Sequence, residues 1–224
     1  DLPILNFANR VEKASAGRMK IQVFPAGQVV ASPEVTEAVR AGALDLGSTF
    51  LMYYAGKEPA LQGINEWPAG LYDQQALEWF YSGGGKDLLR PVGERNNFYY
   101  LGVSTLLGEN IWSNKKIESL EDFKGLKIRT AGLTAESLSK FGASPVSMAS
   151  EDIYTGMQRG TIDAFEFVST PVHYGFGWHE VTKYVINPKF TVGGASDWIV
   201  NLDSWNALPD DLKEIMDNSL RAAS

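Results

Sequence analysis

The sequence predicts an α/β protein of two lobes, with a ligand cleft between two α/β domains. Three observations support this: helical patterns alternate with short apolar strands, the same order of elements occurs twice, and glycines stand where helices are expected to end. The chain has 224 residues, of which 44% are hydrophobic and 21% charged. That composition is typical of a globular protein, and the length suits one large domain or two smaller ones.

The first half predicts helix, strand, helix and strand in that order. Apolar residues recur at helical spacing in 2–11, whereas polar and apolar residues alternate in 18–23, as they do in a half-buried strand. The segment 32–42 begins with Ser-Pro-Glu, which is typical of a helix start, and 44–49 is a short candidate strand. These patterns indicate one α/β unit.

The same order returns after residue 118. Ser119 and Asp122 have the spacing of a capping box, and the apolar segment 126–129 that follows predicts a strand. The pattern continues with a helix at 135–141, a strand at 144–148, a helix that Ser150 caps, and a strand at 161–167. Parallel strands joined by helices place ligand loops at their carboxyl ends, so the cleft between the halves is the expected site.

Two longer apolar segments, 96–112 and 191–202, are predicted to be strands that cross between the halves. The domain assignment follows from them: residues 1–103 with about 195–203 form lobe I, residues 104–194 form lobe II, and residues 204–224 begin a C-terminal helical segment that is expected to be truncated.

The composition excludes several classes of function. The chain has no cysteine, which excludes thiol nucleophiles and cysteine-based metal sites. His173 and His179 are six residues apart, not the spacing of a helical metal pair. A net charge of −7 without a basic run argues against a nucleic-acid partner, and no apolar stretch approaches the ~20 residues of a membrane span, so no direct membrane insertion is expected. The glycines at 83–85 follow a predicted helix rather than a strand, which argues against a nucleotide site.

Arg129 and the pair Glu166-Phe167 are candidate ligand-binding residues because each ends a predicted strand. The guanidinium fork of Arg129 matches a carboxylate, although a surface arginine lying over the sheet edge would give the same pattern. Glu166 either orients a ligand hydroxyl, pairs with a lysine, or only accepts bonds from backbone amides. Phe167 would supply an apolar wall. Asp163 and Glu166 face opposite sides of a strand, which disfavours a shared acid–base reaction.

Aromatic residues crowd the first half of the chain, and most are expected in the core because large aromatic side chains dominate buried area. Tyr53, Trp67 and Tyr72 lie in or near predicted loops and are candidates for the wall of the cleft.

Six segments together resemble a known family, the periplasmic solute-binding subunits of TRAP (tripartite ATP-independent periplasmic) transporters. The similarity covers nearly the whole chain and is closest to the 2-oxo-acid-binding branch, through 78–85 and 166–168. The six segments, in the order that the family uses, are 21–27, 37–45, 53–59, 121–133, 158–168 and 201–212.

The resemblance implies a periplasmic-binding-protein-like (Venus-flytrap) fold, a periplasmic location although this chain carries no leader, and no catalysis. It implies that an organic acid is bound between the lobes and delivered to TRAP membrane permease subunits. The arginine with which the family clamps the ligand carboxylate falls on Arg129.

The resemblance also bears on a metal ion, since the branch often places a cation between protein and ligand. Its ligands fall at about Gly108, at the main-chain oxygen of Phe167 and near Val192. Neither Gly108 nor Val192 offers a side-chain oxygen, and hard cations need several. We therefore predict that the cation is absent, and no cofactor is expected.

Without a cation, the ligand carboxylate would depend on Arg129 and on the neutral donors Thr105, Ser48 or Thr49. Loss of polar side chains also makes the pocket roomier and more apolar. We therefore expect a monocarboxylate ligand, of which 2-oxo and aromatic acids are the candidates.

Two other classes of function stay open. A two-lobed domain of this kind also serves as the sensing domain of signalling proteins or chemoreceptors. An enzyme of the cleft would use carboxylates such as Glu151, Asp152 or Glu166, although Glu151 and Asp152 are better explained as acids at a helix N-terminus beside Ser150.

Overall fold

The computed structural model describes residues 2–63, 65–68, 71, 73–167 and 170–223. At 2, 3, 66–68, 73, 105–107, 192 and 193 it describes the backbone alone. Within these ranges the α-helices are α1 (Leu2–Ala14), α2 (Val35–Arg40), α3 (Asp73–Ser82), α4 (Gly85–Arg95), α5 (Gly132–Lys140), α6 (Ile153–Arg159), α7 (Thr170–Gly175), α8 (Leu202–Ala207) and α9 (Asp210–Arg221).

The strands belong to two separate sheets. They are β1 (Leu46–Thr49), β2 (Glu66–Pro68), β3 (Phe98–Leu107), β4 (Ile111–Ser113), β5 (Lys127–Arg129), β6 (Ser144–Val146), β7 (Ala164–Glu166), β8 (Tyr184–Val185) and β9 (Thr191–Asn201). Six short 3-10 helices complete the described elements, and the one at Leu51–Tyr54 is used below. Two sheets with helices packed around each confirm the predicted two-lobed α/β fold.

The first sheet is built around β9, which pairs antiparallel with β1, β2 and β3. Alternate side chains of β9 point to opposite faces. Ile199 therefore packs with Phe80 and Phe98 on one face, whereas Trp198 packs with Phe7 on the other. Burial of large apolar side chains on both faces stabilises this sheet, by roughly 1.5–3 kcal/mol for each side chain.

The second sheet has the order β6-β5-β7-β4-β8. Its strand β5 runs parallel to β6 and to β7, so the carboxyl ends of these three strands lie at one edge. Helices α5 and α6 connect the parallel strands. This edge is where the sequence predicts the ligand site.

The long strands β3 and β9 confirm the predicted crossing segments, and they pair from Phe98 opposite Asn201 to Leu107 opposite Gly193. Beyond the pair, the Glu109 amide donates to the carbonyl oxygen of Thr191 (2.9 Å). We propose the division into lobe I (1–103 with about 195–203), lobe II (104–194) and a C-terminal segment (204–224), and we use the lobe names in that sense.

The predicted strand at 18–23 is wrong, because this segment forms no ladder with another described strand. Met19, Ile21 and Val23 are half-buried, and Lys20 and Gln22 between them are exposed. The alternating pattern therefore shows which side chains are directed toward the lobe. A strand also needs a neighbouring strand that forms hydrogen bonds with its backbone.

The capping box at Ser119 and Asp122 is present, although it begins a 3-10 turn rather than an α-helix. Ser150 likewise begins a 3-10 turn and does not cap α6, since its hydroxyl bonds to Glu151. No helix among the described residues combines the length and the apolar character needed to cross a bilayer.

Candidate functional site

Arg129 is the last residue of β5, and only 2% of its surface is exposed. Its Nε donates to the carbonyl oxygen of Met148 (3.0 Å), and Nη1 donates to the carbonyl oxygen of Glu166 (3.2 Å). Its Nη2 donates to the hydroxyl of Tyr53 (2.9 Å), which belongs to lobe I. Among the described residues these bonds use three of the five N–H donors of a guanidinium, which leaves one N–H on each terminal nitrogen for a ligand.

One aromatic ring lies beside this guanidinium, and a second packs against that ring. Phe167 follows β7 directly, and the Arg129 guanidinium lies 4.6 Å from the centre of its ring. Phe50 follows β1 in lobe I and meets Phe167 edge-on, with ring centres 5.7 Å apart. The guanidinium thus lies against Phe167 and the Tyr53 hydroxyl and is almost fully buried, which strengthens its attraction for an anion.

Glu166 is buried beneath this site with 1% of its surface exposed. Its side chain accepts a hydrogen bond from the Thr130 hydroxyl (3.1 Å), and its other neighbour is the carboxyl of Glu109 rather than a lysine. Burial raises the pKa of Glu166 well above the ordinary value, and the hydrogen-bonded Glu109 carboxyl raises it further. Both causes favour the protonated form of Glu166, against the opposing effect of the Arg129 guanidinium.

The remaining predicted residues are placed differently. The Ser48 hydroxyl lies 2.8 Å from that of Ser196, and the Thr49 hydroxyl lies 3.5 Å from that of Thr36, so both make contacts inside lobe I. Thr105 lies in β3 and Trp67 in β2, but their side chains are outside the described part of the structure, and Tyr72 is outside it altogether. Arg129, Glu166, Phe167 and Tyr53 are the predicted residues that the structure brings together.

The cation ligands implied by the resemblance do not fit the side chains present. Gly108 offers no side-chain oxygen, Val192 offers only hydrocarbon, and the carbonyl oxygen of Phe167 is hydrogen-bonded to the ring of His173. Among the described residues, no group of three or more acidic, histidine or cysteine side chains is arranged to hold a metal. The absence of the cation stays a prediction.

Further contacts close the rim of the cleft. The Glu151 carboxylate accepts bonds from the amide (3.0 Å) and the hydroxyl (2.7 Å) of Ser32. A Cβ on Gly27 would lie 2.8 Å from Cγ of Glu151, and the φ of Gly27 is +78°, so both conditions favour glycine there. Gln62 in lobe I bonds to Glu136 on α5 in lobe II. With the Tyr53–Arg129 bond, these contacts hold the lobes together.

Sequence reasoning missed three residues of this region: Phe50, Glu109 and Asp197. Glu109 and Asp197 each carry a charge within an apolar β-rich run, which is a signal for a buried and specifically bonded group. Asp197 is fully buried in β9. Phe50 has no local signal, since its partner Phe167 is distant in the chain.

The profile of bacterial extracellular solute-binding proteins, family 7 (DctP), matches residues 3–224. A monocarboxylate 2-oxoacid-binding periplasmic protein of Nostoc sp. (strain PCC 7120) is 35% identical over 210 residues, which is 93% of this chain and 58% of that protein. The chain thus spans about three fifths of the length of this relative.

Two solved structures of similar sequence identity differ in how well they superpose. A TRAP periplasmic solute-binding protein from Pseudoalteromonas atlantica T6c, with bound sodium and pyruvate, is 28% identical with a TM-score of 0.90, covering 100% of this chain and 68% of that one. An apo, open structure from Rhodobacter sphaeroides is also 28% identical, but its TM-score is 0.67, covering 99% of this chain and 71% of that one. The difference agrees with the contacts across the cleft, which describe a closed arrangement of the lobes.

The resemblance found in the sequence is confirmed by these similarities. Since the profile covers nearly the whole chain and the fold matches as well, this chain belongs to family 7 of the bacterial extracellular solute-binding proteins.

Proposed function

We propose that this chain is the ligand-binding part of a periplasmic solute-binding protein of a TRAP-type transporter. It captures an organic acid, a monocarboxylate, between the lobes and delivers it to the membrane permease without altering it chemically. The observation that carries this proposal is the buried guanidinium of Arg129, with its remaining donors at an edge that lobe I covers with Tyr53. Such a fork binds both oxygens of a carboxylate.

Closure of the lobes is the mechanism. In the open form the guanidinium is hydrated, and closure removes that water. A ligand carboxylate that contacts Arg129 and lobe I together therefore stabilises the closed form by its differential contacts. Without a ligand, the closed form depends on direct contacts between the lobes, such as the Tyr53–Arg129, Ser32–Glu151 and Gln62–Glu136 bonds.

The ligand class follows from the walls of the site. Phe167 presents its ring to the guanidinium, Phe50 packs against that ring, and burial and the Glu109 carboxyl raise the pKa of Glu166. A site with apolar walls and a single positive group, the Arg129 guanidinium, suits a monocarboxylate with an apolar or aromatic body better than a dicarboxylate. The Nostoc relative is named for monocarboxylate 2-oxoacids, which supports the same class.

Calorimetric titration of the full-length protein tests the function. We expect binding of a 2-oxo or aromatic monocarboxylate, with recovery of the unchanged acid after incubation, which separates binding from catalysis. Tighter binding of pyruvate than of aromatic 2-oxo acids or arylacetates would contradict the larger-ligand hypothesis. Dependence of transport on the protein in vesicles that contain the permease separates transport from a sensing role.

Arg129→Ala is expected to weaken binding by roughly 2–5 kcal/mol, tens to thousands-fold, because the buried carboxylate loses its charged partner. Arg129→Lys is expected to weaken it too, since an ammonium cannot replace the planar fork. The matched control is Arg95→Ala, because Arg95 pairs with Glu58 (2.8 Å) on the surface of lobe I. If Arg129→Ala binds the acid within about threefold of wild type, the proposed clamp is wrong.

A further inference from the structure

Asp197 is the most completely bonded buried charge of lobe I. It lies in β9, is fully buried, and accepts three hydrogen bonds. Oδ1 accepts from the Tyr100 hydroxyl (2.9 Å), and Oδ2 accepts from the Leu51 amide (2.9 Å) and from Nδ2 of Asn65 (2.5 Å). The described groups bonded to it include no cation, so the carboxylate is not one half of a buried ion pair.

Two of these bonds lead to a single turn. The Leu51 amide bonds to Asp197, and the Met52 amide bonds to Oδ1 of Asn65 (3.0 Å), whose Nδ2 is held by Asp197. Asn65 also donates to the carbonyl oxygen of Ala195 (2.8 Å), which fixes its orientation. Leu51 and Met52 are the first two residues of the 3-10 helix Leu51–Tyr54, where amides have no partner within the helix.

The next residue of that turn is Tyr53, which reaches Arg129 across the cleft. The residue before the turn is Phe50, which meets Phe167. Asp197 and Asn65 therefore fix the start of the segment that carries both contacts of lobe I to the arginine site. A shift of this turn would move the Tyr53 hydroxyl and the Phe50 ring together.

We propose that Asp197, acting with Asn65, is a positioning residue for ligand binding, which sets the place of Tyr53 opposite Arg129. This rests on the proposed function, because the affected property is affinity for a carboxylate. Burial raises the pKa of Asp197 to about 6, although the bonds from Asn65, Leu51 and Tyr100 lower it in part. Burial disfavours the charged form of Asp197, so an aspartate at this position is consistent with a role beyond packing.

A double-mutant cycle between Asp197 and Tyr53 tests the proposal. Asp197→Ala is expected to weaken binding of the carboxylate by about tenfold in the wild type, but by less than about threefold when Tyr53 is already phenylalanine, because its effect passes through the Tyr53 hydroxyl. Asp197→Asn is expected to restore most of the affinity, since an amide oxygen still accepts from Leu51 and Asn65 while Tyr100 rotates to accept. The control is Val11→Ala, a buried position of α1 that destabilises without touching the turn.

Hydrogen exchange at the Leu51 and Met52 amides gives a readout that needs no ligand. Faster exchange in Asp197→Ala, but not in Val11→Ala, is the expected result. If Asp197→Ala does not fold, Asn65→Ala carries the same measurements. Equal losses of affinity in both Tyr53 backgrounds, or unchanged exchange, would overturn the positioning role. A wild-type protein that binds no carboxylate while exchange responds as expected would instead overturn the proposed function.

Discussion

Asp197 in lobe I and Arg129 in lobe II are both buried ionisable residues close to the cleft, and they are bonded differently. Asp197 in lobe I accepts bonds from a backbone amide, a side-chain amide and a phenol, all from its own lobe. Arg129 in lobe II donates to two carbonyl oxygens of its own lobe and to the Tyr53 hydroxyl. Among the described residues, two of its N–H groups have no further partner. A saturated charge fixes a backbone, whereas a charge with remaining donors is available to a ligand.

The same difference extends to the neighbouring residues. Around Asp197 the neighbours are neutral, so desolvation is the main cause of its raised pKa. Around Arg129 the backbone oxygen of Glu166 is engaged, while the Glu166 side chain shares a hydrogen bond with Glu109. No carboxylate of the described residues is hydrogen-bonded to Arg129, so its charge is available to attract an anion.

The largest expected effect is that the ionisation of Asp197 makes the free energy of unfolding depend on pH. The pKa of Asp197 is about 6 in the folded protein, above its ordinary value of 3.8. The folded state therefore holds this proton more tightly than the unfolded state. The stabilisation is complete below about pH 4 and is lost as pH rises to about 6, by about 3 kcal/mol for this group.

Urea unfolding of wild type and Asp197→Asn from pH 4 to 7 measures this loss. The wild type is expected to lose stability relative to the variant as pH rises, because asparagine does not ionise. Tyr100 is the one titratable group that bonds to Asp197 among the described residues, and burial raises its pKa well above the ordinary value, so it stays neutral throughout. Parallel pH profiles for the two proteins would show that Asp197 is not the buried acid we describe.

A smaller effect on ligand affinity is expected from the two aromatic residues that meet across the cleft, Phe50 and Phe167. Phe50→Leu and Phe167→Leu both remove the edge-on contact, but only Phe167→Leu also removes the ring beside the guanidinium. We expect Phe167→Leu to weaken ligand binding by about 1 kcal/mol more than Phe50→Leu, roughly fivefold. Calorimetric titration of both variants checks this, and equal losses would mean that the ring does not support the charge of Arg129.

The sequence predicted those parts of the fold and site that local patterns encode. Arg129 could be selected because an apolar strand ends there and a helix follows, and β3 and β9 appeared as long apolar runs. The contacts of Arg129 with Tyr53 could not be predicted, since they join residues 76 positions apart and depend on how the lobes close. The raised pKa of Glu166 was hidden for the same reason, because Glu109 approaches it only through the pairing of β4 with β7.

The smallest expected effect concerns the rim, where Glu151 of lobe II bonds to Ser32 of lobe I. Glu151→Gln keeps the size of the side chain but removes its charge, so the two bonds from Ser32 become weaker. Since these bonds lie at an exposed edge, we expect the ligand to dissociate faster by roughly threefold or less. The control is Glu180→Gln, because Glu180 accepts a bond from Tyr154 within lobe II and does not reach lobe I. Stopped-flow dissociation rates that change equally in both variants would show that the Ser32–Glu151 contact does not hold the closed form, and that closure depends on the arginine site alone.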